Sequence, residues 1–401
     1  MTSPVKWVVA ATLSSLLIGS AWAQKKYDSG ASDSEIKIGQ TMPYSGPASA
    51  YGTQGKAEAA VWKMINSKGG INGRQINFLS MDDGYSPPKT VEQTRKLVEE
   101  ENILADVGSL GTPTNSSIQK YLNAKKMPHI FISTGASKWN DPKAFPYTVP
   151  FYPPYAQEAK IYGKTIAATQ PNAKIAVLFQ NDDFGKDYLK GLKEGLGSKV
   201  GQIVKEVSFE ITDPTVDSQL IAMQSSGADV FVDISTPKFA AMAIRKAATS
   251  GWKPKHYLVS VSSSIGGVLE PAGLDNSTGL VTALAFKVVG DPAWDNDAEM
   301  KDFLKFMKEW YPEGNVLDAS NVVGYVSALL TAELFKRMGD NLTRENMMKT
   351  LTSMKNVPLP MLLPGVAVTF SPDDYSGFTS FRLARFDGKK WALSEENIST
   401  K

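Results

Sequence analysis

The side chains that could do covalent or metal chemistry are few and badly placed for it. The 401 residues include two histidines, His129 and His256, and no cysteine. His129 lies in Met127-Pro-His-Ile-Phe131, an apolar strand pattern that reads as a core or strand-end histidine, since a general base needs polar partners around it. His256, in Lys253-Pro-Lys-His-Tyr257, reads as a surface loop residue ahead of a strand. Asp182 and Asp183 are adjacent in the chain, which suits a helix-entry cap better than an acid/base pair. Gly191, Gly195 and Gly197 fall within and after a helical stretch, not at the strand-to-helix turn that phosphate binding requires. GxSxG, GxxxxGK[ST] and HExxH are all absent. No cofactor and no metal are therefore expected, and the chain reads as a binding protein. A carboxylate-based secreted enzyme is one alternative class.

Small polar residues gather instead in three loops. Met42-Pro-Tyr-Ser-Gly-Pro-Ala-Ser-Ala-Tyr51-Gly-Thr-Gln-Gly55 has no acid and no phosphate motif. Gly108-Ser-Leu-Gly-Thr-Pro-Thr-Asn115 and Ile132-Ser-Thr-Gly-Ala-Ser137 are of the same kind. Hydroxyls and the free N–H groups of a helix N-terminus suit a carboxylate.

Each loop follows an apolar strand and leads toward a helix. From Glu35 to Tyr257 the pattern is strand, loop, helix, repeated, which predicts βαβ units and parallel sheets. One sheet runs from Glu35 to about Ile132, the other from Lys174 to about Val261. The three loops all end strands of the first sheet, so they converge on one edge. The Pro-rich stretch from Asp141 to Pro154 reads as a boundary. Asn321–Met338 is a long apolar helix, and Val366–Phe370 with Phe378–Phe386 reads as a terminal strand pair.

The first 23 residues read as a signal peptide, with Lys6, the apolar run Trp7 to Ile18, and small residues ending at Ala23. No cysteine follows, so no lipoprotein anchor is expected, and a periplasmic location is the simplest. A formal charge of +2 gives no case for nucleic acid or a membrane surface as partner.

The chain resembles the leucine/isoleucine/valine-binding type of periplasmic solute-binding protein that serves ABC importers. The resemblance rests on Ile36-Lys-Ile-Gly39, Ser45-Gly-Pro-Ala-Ser-Ala-Tyr51 and Ala60-Val-Trp-Lys-Met-Ile-Asn66 with the glycines to Gly73. Asp82-Asp83, Gly108-Ser109, Ile132-Ser-Thr-Gly-Ala136 and Asn181-Asp-Asp-Phe-Gly185 add to it. It implies an α/β fold of two doubly wound parallel-sheet lobes joined by a three-stranded hinge. Lobe 1 would be residues 34–150 plus 286–358, and lobe 2 residues 151–285 plus 359–398.

By the same resemblance, Thr112, Gly135, Ala136 and Ser137 would hold a ligand carboxylate, and Tyr51 would cover its tail. Amino-acid binders of this type also set an acid from lobe 2 against the ligand ammonium. The matching stretch, Tyr257–Ile265, has none and offers hydroxyls such as Ser262; Asp233 is the nearest substitute. Tyr152 and Phe184 would extend an aromatic lining. The expected ligand is a small carboxylic acid without an α-amine, either an aromatic acid or a branched 2-oxo acid. A branched-chain amino acid is the runner-up. The implied partners are this small carboxylate and the permease subunits of an ABC transporter, with the protein a monomer. A ligand-sensing module and an amide or urea binder are further alternatives.

Overall fold

The computed structural model describes residues 25–400. The signal peptide expected over 1–23 lies outside the described residues.

A short strand, β1 (Lys26–Tyr27), precedes a five-stranded parallel sheet. Its strands are β2 (Glu35–Met42), β3 (Gln75–Asp82), β4 (Ala105–Val107), β5 (His129–Ile132) and β6 (Thr148–Pro150), in the spatial order β3-β2-β4-β5-β6. The strands β4, β5 and β6 are buried throughout and read as short apolar runs, as parallel strands covered on both faces do. β6 falls inside the Pro-rich stretch that the sequence suggested was only a boundary. Pro150 is tolerated because β6 is the edge strand, where a missing N–H loses no ladder bond.

The second sheet begins with β7 (Ile175–Gln180), β8 (Ile203–Phe209), β9 (Val230–Ile234), β10 (Lys255–Leu258) and β11 (Val281–Leu284), all parallel. A two-residue strand, β12 (Asn341–Leu342), pairs with β1. Two later strands, β13 (Ser380–Phe386) and β14 (Trp391–Leu393), join antiparallel beyond β11. The expected strand Val366–Phe370 does not form. Val368 makes only isolated bridges to Val357 and Phe378, and Phe370 turns inward to pack on Phe131, with ring centroids 5.7 Å apart.

The strands from β2 to β10 are connected by the helices α1 (Gly52–Ser67), α2 (Pro87–Arg95), α3 (Thr112–Ala124), α4 (Tyr155–Thr169), α5 (Asp183–Leu196), α6 (Asp217–Ser225) and α7 (Pro237–Thr249). Most begin a few residues before the apolar periodicity does, because their first turns are built from the small polar loop residues. Asp182 caps α5 as its position suggested, accepting from the Gly185 N–H at 3.1 Å. Gly191 and Gly195 serve packing. A Cβ on either would lie 2.1 and 2.3 Å from the carbonyls of Ala156 and Lys160, so α5 lies directly against the backbone of α4.

The chain passes from the first sheet to the second through 151–154 and returns through 285–291. The helices Ala298–Trp310 and Ala319–Met338 then pack beside α1. Gly324 lets the Ala319–Met338 helix approach the Gln54 carbonyl, where a Cβ would sit at 2.4 Å.

Candidate ligand-binding cleft

In a doubly wound sheet, the crevice forms outside the carboxyl ends of the strands, where the winding reverses direction. Here the reversal falls between β2 and β4 in the first sheet and between β7 and β9 in the second. The loops at these two edges enclose a cleft of about 580 Å³, its open mouth included. Tyr51 enters from a single 3₁₀ turn, Ser49–Tyr51, that runs straight into α1. Tyr85 follows β3 with a φ of 59°, held by its N–H donating to Asp83 Oδ1 at 2.8 Å. Phe184, Thr236 and Ser260 come from the opposing loops.

One end of the cleft gathers hydroxyls and the start of a helix. Gly111 caps α3 at φ 104°, and a Cβ there would lie 2.6 Å from both Thr114 Oγ1 and the Tyr85 ring. Pro113 carries no N–H and the Asn115 N–H donates to the Gly111 carbonyl at 3.2 Å, so the Thr112 and Thr114 amides are the ones without a partner in the helix. Thr112 Oγ1 is 2.7 Å from Thr134 Oγ1, which accepts from Trp139 Nε1 at 3.1 Å. Either hydroxyl can donate within this pair, and Thr134 Oγ1 is also within hydrogen-bond reach of Tyr155. Ser133 Oγ donates to Gln54 Oε1 at 2.9 Å, and Gln54 Nε2 donates to Glu58 Oε1 at 2.9 Å. Burial raises the Glu58 carboxyl to about 8 despite the donors Gln54 and Gln40.

The opposite wall is aromatic. Tyr155 stacks on Tyr188 at 4.7 Å and meets Phe184 edge-on at 5.4 Å, with Tyr152 at 5.9 Å. Burial holds the hydroxyls of Tyr51, Tyr85, Tyr152 and Tyr155 above their ordinary range, so each stays a neutral donor.

None of the residues lining the cleft carries a formal charge. Two acids lie just behind the wall on the second-sheet side: Asp182, which caps α5 and acts on the Tyr85 hydroxyl, and Glu158, which is buried behind Ser260. The Glu158 carboxylate is fully engaged. Tyr162 Oη and the Ser260 N–H donate to Oε1 at 2.6 and 2.7 Å, and Tyr188 Oη and Ser260 Oγ donate to Oε2 at 2.9 and 2.6 Å. Burial still raises it to about 7.

Of the residues expected at the site, Tyr51, Thr112, Tyr152 and Phe184 line this cleft. Gly135, Ala136 and Ser137 border a side cavity near the rim. Gly135 is needed where the Pro153 carbonyl crosses it, 2.1 Å from where a Cβ would stand. Ser137 turns to Asp187 on α5. Asp233 is buried in β9 with Oδ2 3.3 Å from His256 Nε2, and it does not face the cleft. Ser262 is buried, donating to the Ser235 carbonyl at 2.6 Å, and the Tyr51 hydroxyl reaches it from the other sheet. His256 is no surface residue, being buried on β10 with its ring 4.1 Å from that of Phe231. His129 is fully buried, as its context suggested, with Nε2 2.7 Å from Asn115 Oδ1; burial lowers its pKa to about 3.

The periplasmic binding protein family model matches residues 35–390. The chain belongs to this family. As a periplasmic binding protein it is similar to Leu/Ile/Val-binding protein homolog 7 of Brucella melitensis, 24% identical over 259 residues, which is 62% of either chain. The match thus spans less than two thirds of that relative. A branched-chain amino acid ABC transporter protein from Thermus thermophilus, solved with bound valine, superposes with a TM-score of 0.82 at 18% identity, covering 91% of this chain and 97% of the other. A solute-binding protein of Rhodopseudomonas palustris in complex with benzoate gives 0.75 at 19% identity, covering 91% and 98%. These likenesses establish the type I periplasmic binding fold. Among the described residues, no helix is long and apolar enough to cross a membrane.

Sequence reasoning missed Gln54, Tyr85, Ser133 and Ser260, and the Ala319, Ser320 and Val323 face of a late helix. Tyr85 was within reach, since it lies in the loop just after the C-terminal end of a parallel strand, β3. Ala319 to Val323 carried no local signal, because only the return crossing brings them to the cleft.

Proposed function

We propose that the protein captures a small monocarboxylic acid with an apolar or aromatic tail, either an aromatic acid or a branched 2-oxo acid. The carboxylate sits at Thr112 and the N-terminus of α3, and the tail lies among Tyr51, Tyr152 and Phe184. The observation that carries this reading is the absence of formal charge on the cleft wall. A carboxylate is served there by hydroxyls and helix amides, whereas a desolvated ammonium without a counter-charge costs several kcal/mol. The benzoate bound by the Rhodopseudomonas protein supports this class. The valine bound by the Thermus protein supports the second reading, a branched-chain amino acid. What favours that reading here is Glu158, one hydroxyl away from the cleft through Ser260. Its four donors leave it no free lone pair directed at an ammonium.

The protein works as the periplasmic, monomeric solute-binding component of an ABC importer and has no catalytic role. Residues 34–150 plus 286–358 and residues 151–285 plus 359–398 move as two lobes on this reading. Ligand bridges the lobes and shifts the population toward the closed form that a permease recognises.

The test is a thermal-shift and titration panel on refolded, ligand-free protein: aromatic acids, branched 2-oxo acids, leucine, isoleucine, valine and short amides. A true ligand at 100 times its Kd adds about 2.7 kcal/mol of stability. Binding of acids without binding of amino acids supports the first reading. Binding of leucine or valine alone replaces it with the second.

A further inference from the structure

The cleft does not end at Tyr152 and Ser260. Behind them lies a second chamber of about 610 Å³, its mouth included, between the returning segment 283–289 and the start of the Ala319–Met338 helix. Tyr152, Ser260, Ala319 and Val323 line both spaces, so the two adjoin through these side chains. The chamber walls are apolar, with Ile265, Leu284, Ala285, Val289 and Val322 prominent.

Most of its polar groups are already engaged. Ser263 Oγ donates to the Ser260 carbonyl at 2.8 Å, and Trp391 Nε1 donates to the Ser263 carbonyl at 2.9 Å. Lys287, the charged residue on this wall, directs its amine to Asp297 Oδ2 and Glu299 Oε2 at 2.7 and 2.8 Å. A mostly apolar space, whose polar side chains other than the Tyr152 hydroxyl shared with the cleft are engaged, holds water poorly and favours hydrocarbon. It lies beyond the aromatic wall from the Thr112 end, where the carboxylate is placed.

We propose that this chamber is a second subsite that receives the far end of a longer ligand. The ligand class is a monocarboxylic acid whose alkyl or phenylalkyl tail passes between Tyr152 and Val323. This rests on the carboxylate reading above and extends it from short acids to medium-chain ones.

The experiment is calorimetric titration of ligand-free protein with two series: benzoate through 6-phenylhexanoate, and butanoate through decanoate. Each methylene that enters the chamber should tighten binding about fourfold, until the chamber is full and the gain stops. The Val288→Phe variant fills the chamber from a half-buried wall position. It should bind the short acids as the wild type does and lose the chain-length gain. If V288F folds poorly, Ala285→Leu serves the same purpose, and the wild-type series stands by itself. Short acids binding with affinity that falls as methylenes are added overturns the second subsite and leaves the carboxylate reading intact. A gain that persists in the filled variant overturns it too, since the tail is then held elsewhere. Failure of every acid overturns both.

Discussion

Ser137 and Asp187 join the two sheets at the rim of the cleft. The Ser137 N–H donates to Asp187 Oδ2 at 3.0 Å, and its hydroxyl donates to Oδ1. Lys138 Nζ lies 2.7 Å from Asp183 Oδ2 one helical turn earlier on α5. A residue that composition and resemblance suggested for the ligand carboxylate is thus placed to hold the closed form. The Asp187→Ala/Lys138→Ala double variant should release ligand several-fold faster with little change in the melting temperature of the ligand-free protein, because exposed pairs add about 0–1 kcal/mol each. Stopped-flow release rates and small-angle scattering with and without ligand read this directly. Unchanged release would show that the pair follows closure without favouring it.

Thr112→Val removes the hydroxyl at the anion end and keeps the shape. A lost hydrogen bond to a charged group is worth about 1.5 kcal/mol, so affinity for the acid should fall about tenfold, whereas the methyl ester, a neutral acceptor, should lose less. Titration of acid and ester against both proteins separates the hydroxyl from packing.

Tyr51 has two separable parts. Tyr51→Phe keeps the ring and loses only the reach to Ser262, so binding should weaken less than tenfold. Tyr51→Ala removes the ring over the ligand tail, which burial bookkeeping puts at about 1.5–3 kcal/mol, or roughly 10–150-fold in Kd. Equal effects of the two would locate the role of Tyr51 in the Ser262 contact.

Glu58 and Glu158 predict an unusual pH trend. Burial raises Glu58 to about 8 and Glu158 to about 7, both above an unfolded value of 4.5. The folded state therefore binds more protons than the unfolded state between pH 4.5 and 8, and these groups lower stability as pH rises through that window. Their contribution is fully present below pH 4.5. Glu58→Gln should flatten part of the decline and stabilise the protein at pH 8. The buried Gln40 Oε1, which has no partner, would accept from the new amide once the Gln40 side chain turns over. Urea unfolding at pH 5 and pH 8 for wild type and E58Q measures it. A wild type more stable at pH 8 than at pH 5 would show that other carboxylates dominate.

The alternation of strands and helices was legible because each βαβ unit carries its own apolar period, and Tyr51 and Thr112 were legible because loops at the ends of parallel strands must meet at one edge. What failed depended on direction or distance. Asp233 is one residue from the end of β9, and the strand's alternation turns it toward His256. Ser137 has the right type in the right loop, but the loop has already left the cleft by that point, past the tight crossing at Gly135. The expected strand Val366–Phe370 has a suitable composition, yet its aromatic ring is drawn to Phe131 in the other sheet's core. The second chamber is drawn from 152–153, 260–265, 283–289, 316–323 and Trp391, segments that no local pattern relates.

The uncharged wall has a kinetic consequence. Attraction between formal charges in solution is screened over about 8 Å at physiological ionic strength, so a binding site that recruits its ligand with lysines or arginines slows as salt rises. On the proposed reading, this cleft would recruit an anion with buried hydroxyls and free helix amides, which act only at contact. Its association rate should therefore stay nearly constant across a wide range of salt, a useful property for a scavenger whose surroundings set the ionic strength for it.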